Sequence, residues 1–369
     1  MTHQPCYHLE NLSSLSQGIE ALTQGTSRMK TKTFTKKLHR YLIVVINVGM
    51  AGVIVIKSCF SSMAARLFVR LLLCVLPVFQ PALAQDELSP STWSLPGELP
   101  RAFPPTGMSL ARLSTGITHR SAGFACAGGS RSDPRDFTMT AVLVRHPRGD
   151  LLIDTGFGRD IDDHFHSMPW WFQLITTYER GMSALDQFAH AKYDIHRLRA
   201  IILTHAHWDH VSGAADFPNT PIWVSKEELS YIRSGEALAN LAKGLGDARF
   251  TPYSFEGGPY LGYPRSHDVY GDGSVVIVPS PGHTPGSVTL FVALPDGSRY
   301  AFIGDLVWQL DCLMQERERP FVARWLADSN PAQVRKGIEH ILSIKRKFPT
   351  VKIVPAHDAA AFSQIPQFN

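Results

Sequence analysis

The stretch that decides the fold is Thr204-His205-Ala206-His207-Trp208-Asp209-His210, set directly after the apolar run Ala200-Ile201-Ile202-Leu203. A short apolar run with β-branched members reads as a buried strand. The polar residues therefore sit where a strand leaves its sheet, on backbone that a packed core holds still. Three imidazoles and a carboxylate so close together suit borderline divalent cations, zinc above all. A lone His-x-His arises by chance on many surfaces; this density does not.

Working outward, four more strand-like runs end in polar residues. Val275–Val278 leads into Ser280-Pro281-Gly282-His283-Thr284-Pro285-Gly286, a turn rich in proline and glycine that presents His283. Phe302-Ile303-Gly304 ends on Asp305, and Ile353-Val354-Pro355-Ala356 ends on His357. Upstream, Leu151-Leu152-Ile153 ends on Asp154 at a Thr-Gly turn.

This ordered set, with HxHxDH, PGH, GD and a late His preceded by a DTG strand end, resembles the metallo-β-lactamase-fold hydrolase superfamily over roughly residues 106–369. The resemblance implies an α/β fold of αββα type, two mixed sheets flanked by helices. It also implies a dinuclear centre. His205, His207 and His283 would hold one metal, Asp209, His210 and His357 the other, and Asp305 would bridge them. Two zinc ions are expected, with iron, manganese or cobalt as substitutes the donors accept. Seven ligands leave room for a shared water as nucleophile, which a closed structural site lacks. Asp154 would prop the site without touching metal; its plainer reading is a turn cap. Asp209 is expected to pass a proton to the leaving group as well as to bind metal.

Other candidates are weaker. His164-Phe165-His166 has no apolar strand framing it, and His190, His196 and His340 lie in polar, helix-like stretches and are expected in solvent. Pro169-Trp170-Trp171-Phe172 either lines an entrance or packs as core. No phosphate-cradling glycine loop and no serine nucleophile elbow is present.

The net charge of +4 is unevenly spread, with +7 on residues 1–84 and −3 on the rest. A mildly acidic body lacks the electrostatic footprint of a nucleic-acid binder, so a small-molecule substrate is expected; a homodimer is compatible with the sequence. Residues 63–84 carry a basic start, a short apolar stretch and an Ala-x-Ala end, the three parts of a signal peptide. An exported, periplasmic or secreted protein is therefore expected. Residues 1–62 read either as sequence upstream of the true start at Met63 or as a membrane tether built on Tyr41–Ile56. Residues 85–105 read as a proline-rich linker and 106–369 as the hydrolase domain. Beyond the leader only Cys126 and Cys312 remain. They form one disulfide or stay as two buried thiols, since sequence does not give their separation.

Strands are expected at Phe137–Arg145, Asp150–Asp154, Ala200–Leu203, Pro221–Val224, Ser274–Pro279, Val288–Val292, Arg299–Ile303 and Lys352–Pro355. The clearest helix is Pro331–Lys347, with Asn330 as N-cap, proline in the first turn and cations in the last. Residues 241–273, rich in Gly, Pro and Tyr, read as a long surface loop near the site.

Class B β-lactamases resemble the HxHxDH element but lack the bridging carboxylate that Asp305 supplies. Glyoxalase II-type thioesterases share the ligands but carry a helical domain after the last motif, where this sequence has only residues 358–369. Single-iron dioxygenases of the fold share several of the ligands. The run Thr140–Gly156 and the Ser280–Gly286 turn are similar to N-acyl homoserine lactonases of this fold, so a lactone or carboxylic ester is the expected substrate. Two positions depart from that pattern. The lactonases have Tyr where this chain has Trp308, and usually a second His where it has Ser287. An indole donates one hydrogen bond but exchanges no proton as a phenol does. The alternatives are another hydrolytic reaction of the fold, on a phosphotriester, thioester or β-lactam, and a metal-binding member without catalysis.

Overall fold

A computed structural model describes residues 94–369; the leader, the signal-peptide pattern and residues 85–93 lie outside the described part. Twelve strands form two sheets. Strands β1 (Ser109–Ser121), β2 (Pro134–Arg145), β3 (Asp150–Ile153), β4 (Thr177–Arg180), β5 (Leu198–Ile202), β6 (Ile222–Ser225) and β7 (Phe250–Tyr253) make the larger, ordered β4-β1-β2-β3-β5-β6-β7. Strands β8 (His267–Asp268), β9 (Val275–Pro279), β10 (Val288–Ala293), β11 (Arg299–Phe302) and β12 (Val351–Val354) make the smaller, ordered β12-β11-β10-β9-β8. Both are mixed. In the first, β3, β5, β6 and β7 run parallel while β1, β2 and β4 pair antiparallel. In the second only β11 and β12 are parallel.

Alternation along the strands explains the layering. Val142 and Val144, Leu151 and Ile153, and Ala200 and Ile202 enter a core shared with Val275, Ile277, Leu290 and Phe302 of the second sheet. Their neighbours Ala141, Leu143, Leu152, Ile201 and Leu203 face outward, against Phe188, Leu229 and Ile232 of the helical layer. Val276, Val278, Ala301 and Ile353 face the other way, onto Val334, Ile338, Ile341 and Ile344 of helix Pro331–Lys347. The central strands are thus apolar on both faces, which is why they stand out as continuous runs. Each fully buried Leu or Ile contributes roughly 1.5–3 kcal/mol of transfer free energy. The expected cap on the long helix is present, with Asn330 Oδ1 accepting from Ala332 N and Gln333 N at 3.1 Å each.

Several elements differ from expectation. β1 and β4 were not anticipated, because β1 mixes Ser, Thr, His and Arg with few apolar residues and takes an irregular step between Ser114 and Gly116. Residues 241–273 are not one loop, since they hold β7, β8 and the end of the short helix Asn240–Gly244. His340 is buried, not solvated; it stacks edge-on against Tyr263 in the outer core of the second sheet. His190 and His196 are exposed. Residues 94–105 have neither helix nor strand, and Leu95 and Leu99 pack against that same outer core. Cys126 and Cys312, the pair that sequence left open, are joined as a disulfide with 5.6 Å between Cα atoms.

Candidate metal centre

Every candidate ligand sits in the segment just beyond a strand, with Asp209 and His210 on the short helix Trp208–Val211 and Asp305 in a 3-10 turn. Asp154 follows β3, the His205–His210 stretch follows β5, His283 lies in the turn after β9, Asp305 follows β11 and His357 follows β12. Packing of the two sheets brings these loops to one edge of the sandwich. The potential donor atoms fall into three groups, each within 4.8 Å: His205 with His207 and His283; Asp209 with His210 and His357; and His205 with His210 and Asp305. All seven residues are brought together. His164 is not; its Nδ1 pairs with Ser212 Oγ at 3.0 Å.

Asp305 stands at the middle. Its carboxylate lies 3.3 Å from His210 Nε2, 3.4 Å from His283 Nε2 and 3.1 Å from His357 Nε2. His357 Nε2 is also 3.5 Å from Asp209 Oδ2. Trp308, singled out as a departure, donates its Nε1–H to Asp305 Oδ2 at 2.8 Å.

The second nitrogen of each ring is held by a neighbour. His210 Nδ1 pairs with Asp154 Oδ2 at 2.9 Å, His283 Nδ1 with Asp328 Oδ1 at 2.8 Å, and His357 Nδ1 with the Thr138 carbonyl at 3.1 Å. His207 Nε2 pairs with Tyr231 Oη at 3.2 Å, leaving Nδ1 for a cation. Such contacts fix the ring and the nitrogen it offers. Asp154 also accepts from Thr204 N at 2.7 Å and Thr204 Oγ1 at 2.8 Å, and its backbone is left-handed with φ +52°. That is a strained conformation for a residue other than glycine, fixed by these three bonds.

Two supporting residues escaped the sequence reading. Asp328, with its carboxylate fully buried, is clamped by Arg319 Nη1 at 2.8 Å as well as by His283. Glu228 ties the two ligand loops together by accepting from Ala206 N at 2.6 Å, Thr284 Oγ1 at 2.6 Å and Gly286 N at 3.1 Å. Burial pushes its carboxyl up to about 7 against those hydrogen bonds. Its only sequence signal is a Ser225–Glu228 capping pattern at the start of helix Lys226–Ser234, and Ser225 Oγ does accept from Glu228 N.

The residues fit a divalent cation. His205 Nε2, His210 Nε2, His283 Nε2 and Asp305 Oδ1 are buried at the convergence without a hydrogen-bond partner. Buried polar atoms are rarely left so, and a group of them around one point calls for an ion. His205 and His207 are held well below the usual imidazole range, first by burial and then by neighbouring imidazoles. The neutral ring is the form that binds metal. Burial opposes the charged forms of His210 and His357 too, but Asp154 and Asp305 outweigh it at His210, and Asp305 with Asp209 at His357, so both are pulled up. Positive charge thus gathers around Asp305, the same demand a cation meets.

The model of the metallo-beta-lactamase superfamily matches residues 135–357, more than half of the chain. The chain belongs to the metallo-beta-lactamase superfamily. Within the superfamily it is similar to a probable metallo-hydrolase of Mycobacterium bovis, 31% identical over 59% of this chain and 73% of that protein. It is also similar to the N-acyl homoserine lactonase AttM of Rhizobium johnstonii, 24% identical over 60% of this chain and 82% of that one. An N-acyl homoserine lactone hydrolase solved with N-hexanoyl-L-homoserine at its catalytic metal center shares the fold, with a TM-score of 0.57 and 18% identity over 70% of this chain and 96% of that chain. The protein is accordingly a metallo-hydrolase of the metallo-beta-lactamase fold.

Beside the candidate centre lies a cleft whose walls include Phe124, Phe137, Phe172, Trp171 and Leu238. The aromatic run splits: Trp171 and Phe172 line the cleft, while Trp170 is 74% exposed at its rim. Trp308 is sandwiched, stacked on Phe124 at 5.0 Å on one face with the Arg319 guanidinium 4.5 Å from its ring centre. The disulfide joins the segments that carry Phe124 and Trp308, and so ties this wall to the candidate centre.

Proposed function

We propose that the protein hydrolyses a lactone or other carboxylic ester with an apolar tail, using two zinc ions. His205, His207 and His283 hold one, Asp209, His210 and His357 the other, and Asp305 is shared. The observation that carries this reading is the convergence of seven donors, four with orphaned buried atoms, beside an apolar cleft that five of them line. Two cations there would supply Lewis acidity and a water ionised near neutral pH. The protein's own groups do the rest. Asp209 passes a proton to the departing alkoxide. Trp308 and the ring contacts hold the donors in place, and the aromatic wall excludes water and receives the tail. Exposed Trp170, Leu174, Phe321 and Trp325, on two helices that also line the cleft, let a longer tail continue outward. Support comes from relatives named as lactonases and from a fold neighbour described as a dizinc quorum-quenching lactonase, with a TM-score of 0.50 and 16% identity over 70% of this chain and 90% of that chain. Action outside the cytosol belongs to the proposal; the leader pattern and the disulfide both suit export.

The test is turnover of acyl homoserine lactones of rising chain length beside aryl esters, a phosphotriester and a β-lactam, with elemental analysis of the same preparation. Lactone or ester turnover that rises with chain length and two metals per chain are expected. Turnover of only the phosphotriester or β-lactam would overturn the substrate class. Asp209→Asn, which keeps an oxygen donor, should lower kcat on the order of a hundredfold with little change in KM. Near-full kcat with both metals bound would remove Asp209 from the proton path. Mass analysis of the mature N-terminus tests export, and a terminus well upstream of Gln85 would count against cleavage.

A further inference from the structure

Among the described residues, the cleft wall contains one arginine or lysine, Arg120. Arg120 shares a face of β1 with Thr118, two residues before it, and both line the cleft. Its Nη1 donates to the Ile175 carbonyl at 2.6 Å and its Nη2 to Thr176 Oγ1 at 2.8 Å. Its guanidinium lies 4.9 Å from the centre of the Phe124 ring, at the outer end of the Phe124–Trp308–Arg319 stack. Both hydrogen-bond partners are neutral. Among the described residues no carboxylate reaches ion-pair distance of Arg120, although Arg135, Arg159, Arg180, Arg319, Arg324 and Arg335 each have one. A guanidinium has five N–H donors in a planar fork, so most of this one is unused.

Arg120 is half-buried in this placement. A cation partly withdrawn from water against aromatic surface gains from an anion that meets its remaining N–H groups. Burial pulls this arginine down to about 10, with the charge of Asp209, which lines the same cleft, opposing it. The two neutral bonds hold the fork's position and leave its remaining N–H groups for something that enters the cleft. A fork of this shape matches a carboxylate in bidentate fashion, where lysine would act only as a point charge.

We infer that Arg120 is a specificity residue that holds a carboxylate carried by the substrate, so that the preferred ester or lactone is anionic at the end remote from the scissile bond. This rests on reading the cleft as an ester- or lactone-hydrolysing site.

The test uses the metal-loaded enzyme and two esters of equal acyl length, phenyl hexanoate and monophenyl adipate, which differ by a terminal carboxylate. Wild type should prefer the adipate in kcat/KM. Arg120→Met should lower the adipate-to-hexanoate ratio at least tenfold, through KM rather than kcat, and Arg120→Lys should restore part of it. Wild type without preference, or an unchanged ratio in Arg120→Met, would overturn the inference. Because Arg120 also tethers Ile175 and Thr176, thermal melts of both variants accompany the kinetics. Should neither ester be hydrolysed, the reaction proposed above fails. Arg120 is then judged by calorimetric binding of adipate and of neutral hexanamide to the same proteins. Tenfold weaker adipate binding in Arg120→Met, with hexanamide alike, supports the anion site, and equal adipate binding rejects it.

Discussion

Strand β3 carries a buried carboxylate at each end, and the two live in opposite circumstances. Asp150, at its start, accepts from His146 N at 2.9 Å, Tyr193 Oη at 2.7 Å and Arg197 Nη2 at 3.0 Å. Asp154, just past its end, is equally well bonded, but one partner is His210, whose other nitrogen is an orphan at the convergence on Asp305. One end closes its hydrogen-bond inventory within the protein; the other passes an unmet demand along a chain of side chains to a single point. A buried charge is therefore no mark of function by itself. What marks the site is that satisfied groups hold unsatisfied ones in place.

The comparison can be broken most sharply at Asp305. Asp305→Ala removes the group facing three imidazoles, and turnover should fall on the order of a thousandfold, about 4 kcal/mol, with metal content dropping in the same preparation. Full activity with undiminished metal would dissolve the contrast. At the other end of β3, Asp150→Asn should destabilise the fold by roughly 2–3 kcal/mol, because one acceptor becomes a donor facing Arg197. Denaturant midpoints would show this, while activity per folded molecule stays within about twofold. Between these lies Asp328→Asn, which loosens the grip on His283 Nδ1 without touching its outward nitrogen. Metal affinity measured by chelator competition should weaken roughly 10–100-fold.

The smallest effect concerns His340, a buried imidazole remote from the convergence. Burial depresses it to about 4, so the fold favours its neutral form. Its contribution to stability is full above pH 6.5 and is lost as pH falls toward 4. Between pH 6.5 and 5.5 this amounts to about 1 kcal/mol. Melting curves of His340→Leu should lack that component of the acid slope, and an unchanged slope would assign it to other groups.

The centre was legible in sequence because its members are strand-end residues, and strand ends are visible wherever apolar runs stop. His205 to His210 sit in one local motif, and His283, Asp305 and His357 each close a run of their own. Residues that act from elsewhere were not legible. Asp328 stands in an unremarkable Ala-Asp-Ser-Asn segment, and Glu228 in a Lys-Glu-Glu-Leu helix start that looks like a solvated face. Only the pairing of distant loops makes either one buried and necessary. The same holds for Arg120, since β1 has neither a clean alternation nor an apolar run to show that one of its faces lines a cleft. His340 was misjudged for the converse reason: the polar stretch around it hides a helix face turned onto the second sheet. The cysteine pair remained open because only the fold sets the 5.6 Å between their Cα atoms.

One contact bears on how the protein is made. His357 bonds the carbonyl of Thr138 and stacks on Phe137 in β2, joining a late residue to one of the earliest strands of the described domain. No nascent chain halted before residue 357 can hold a finished centre, however well its first sheet has folded. Any ion that the earlier donors catch before residue 357 is in place is therefore held by an incomplete set.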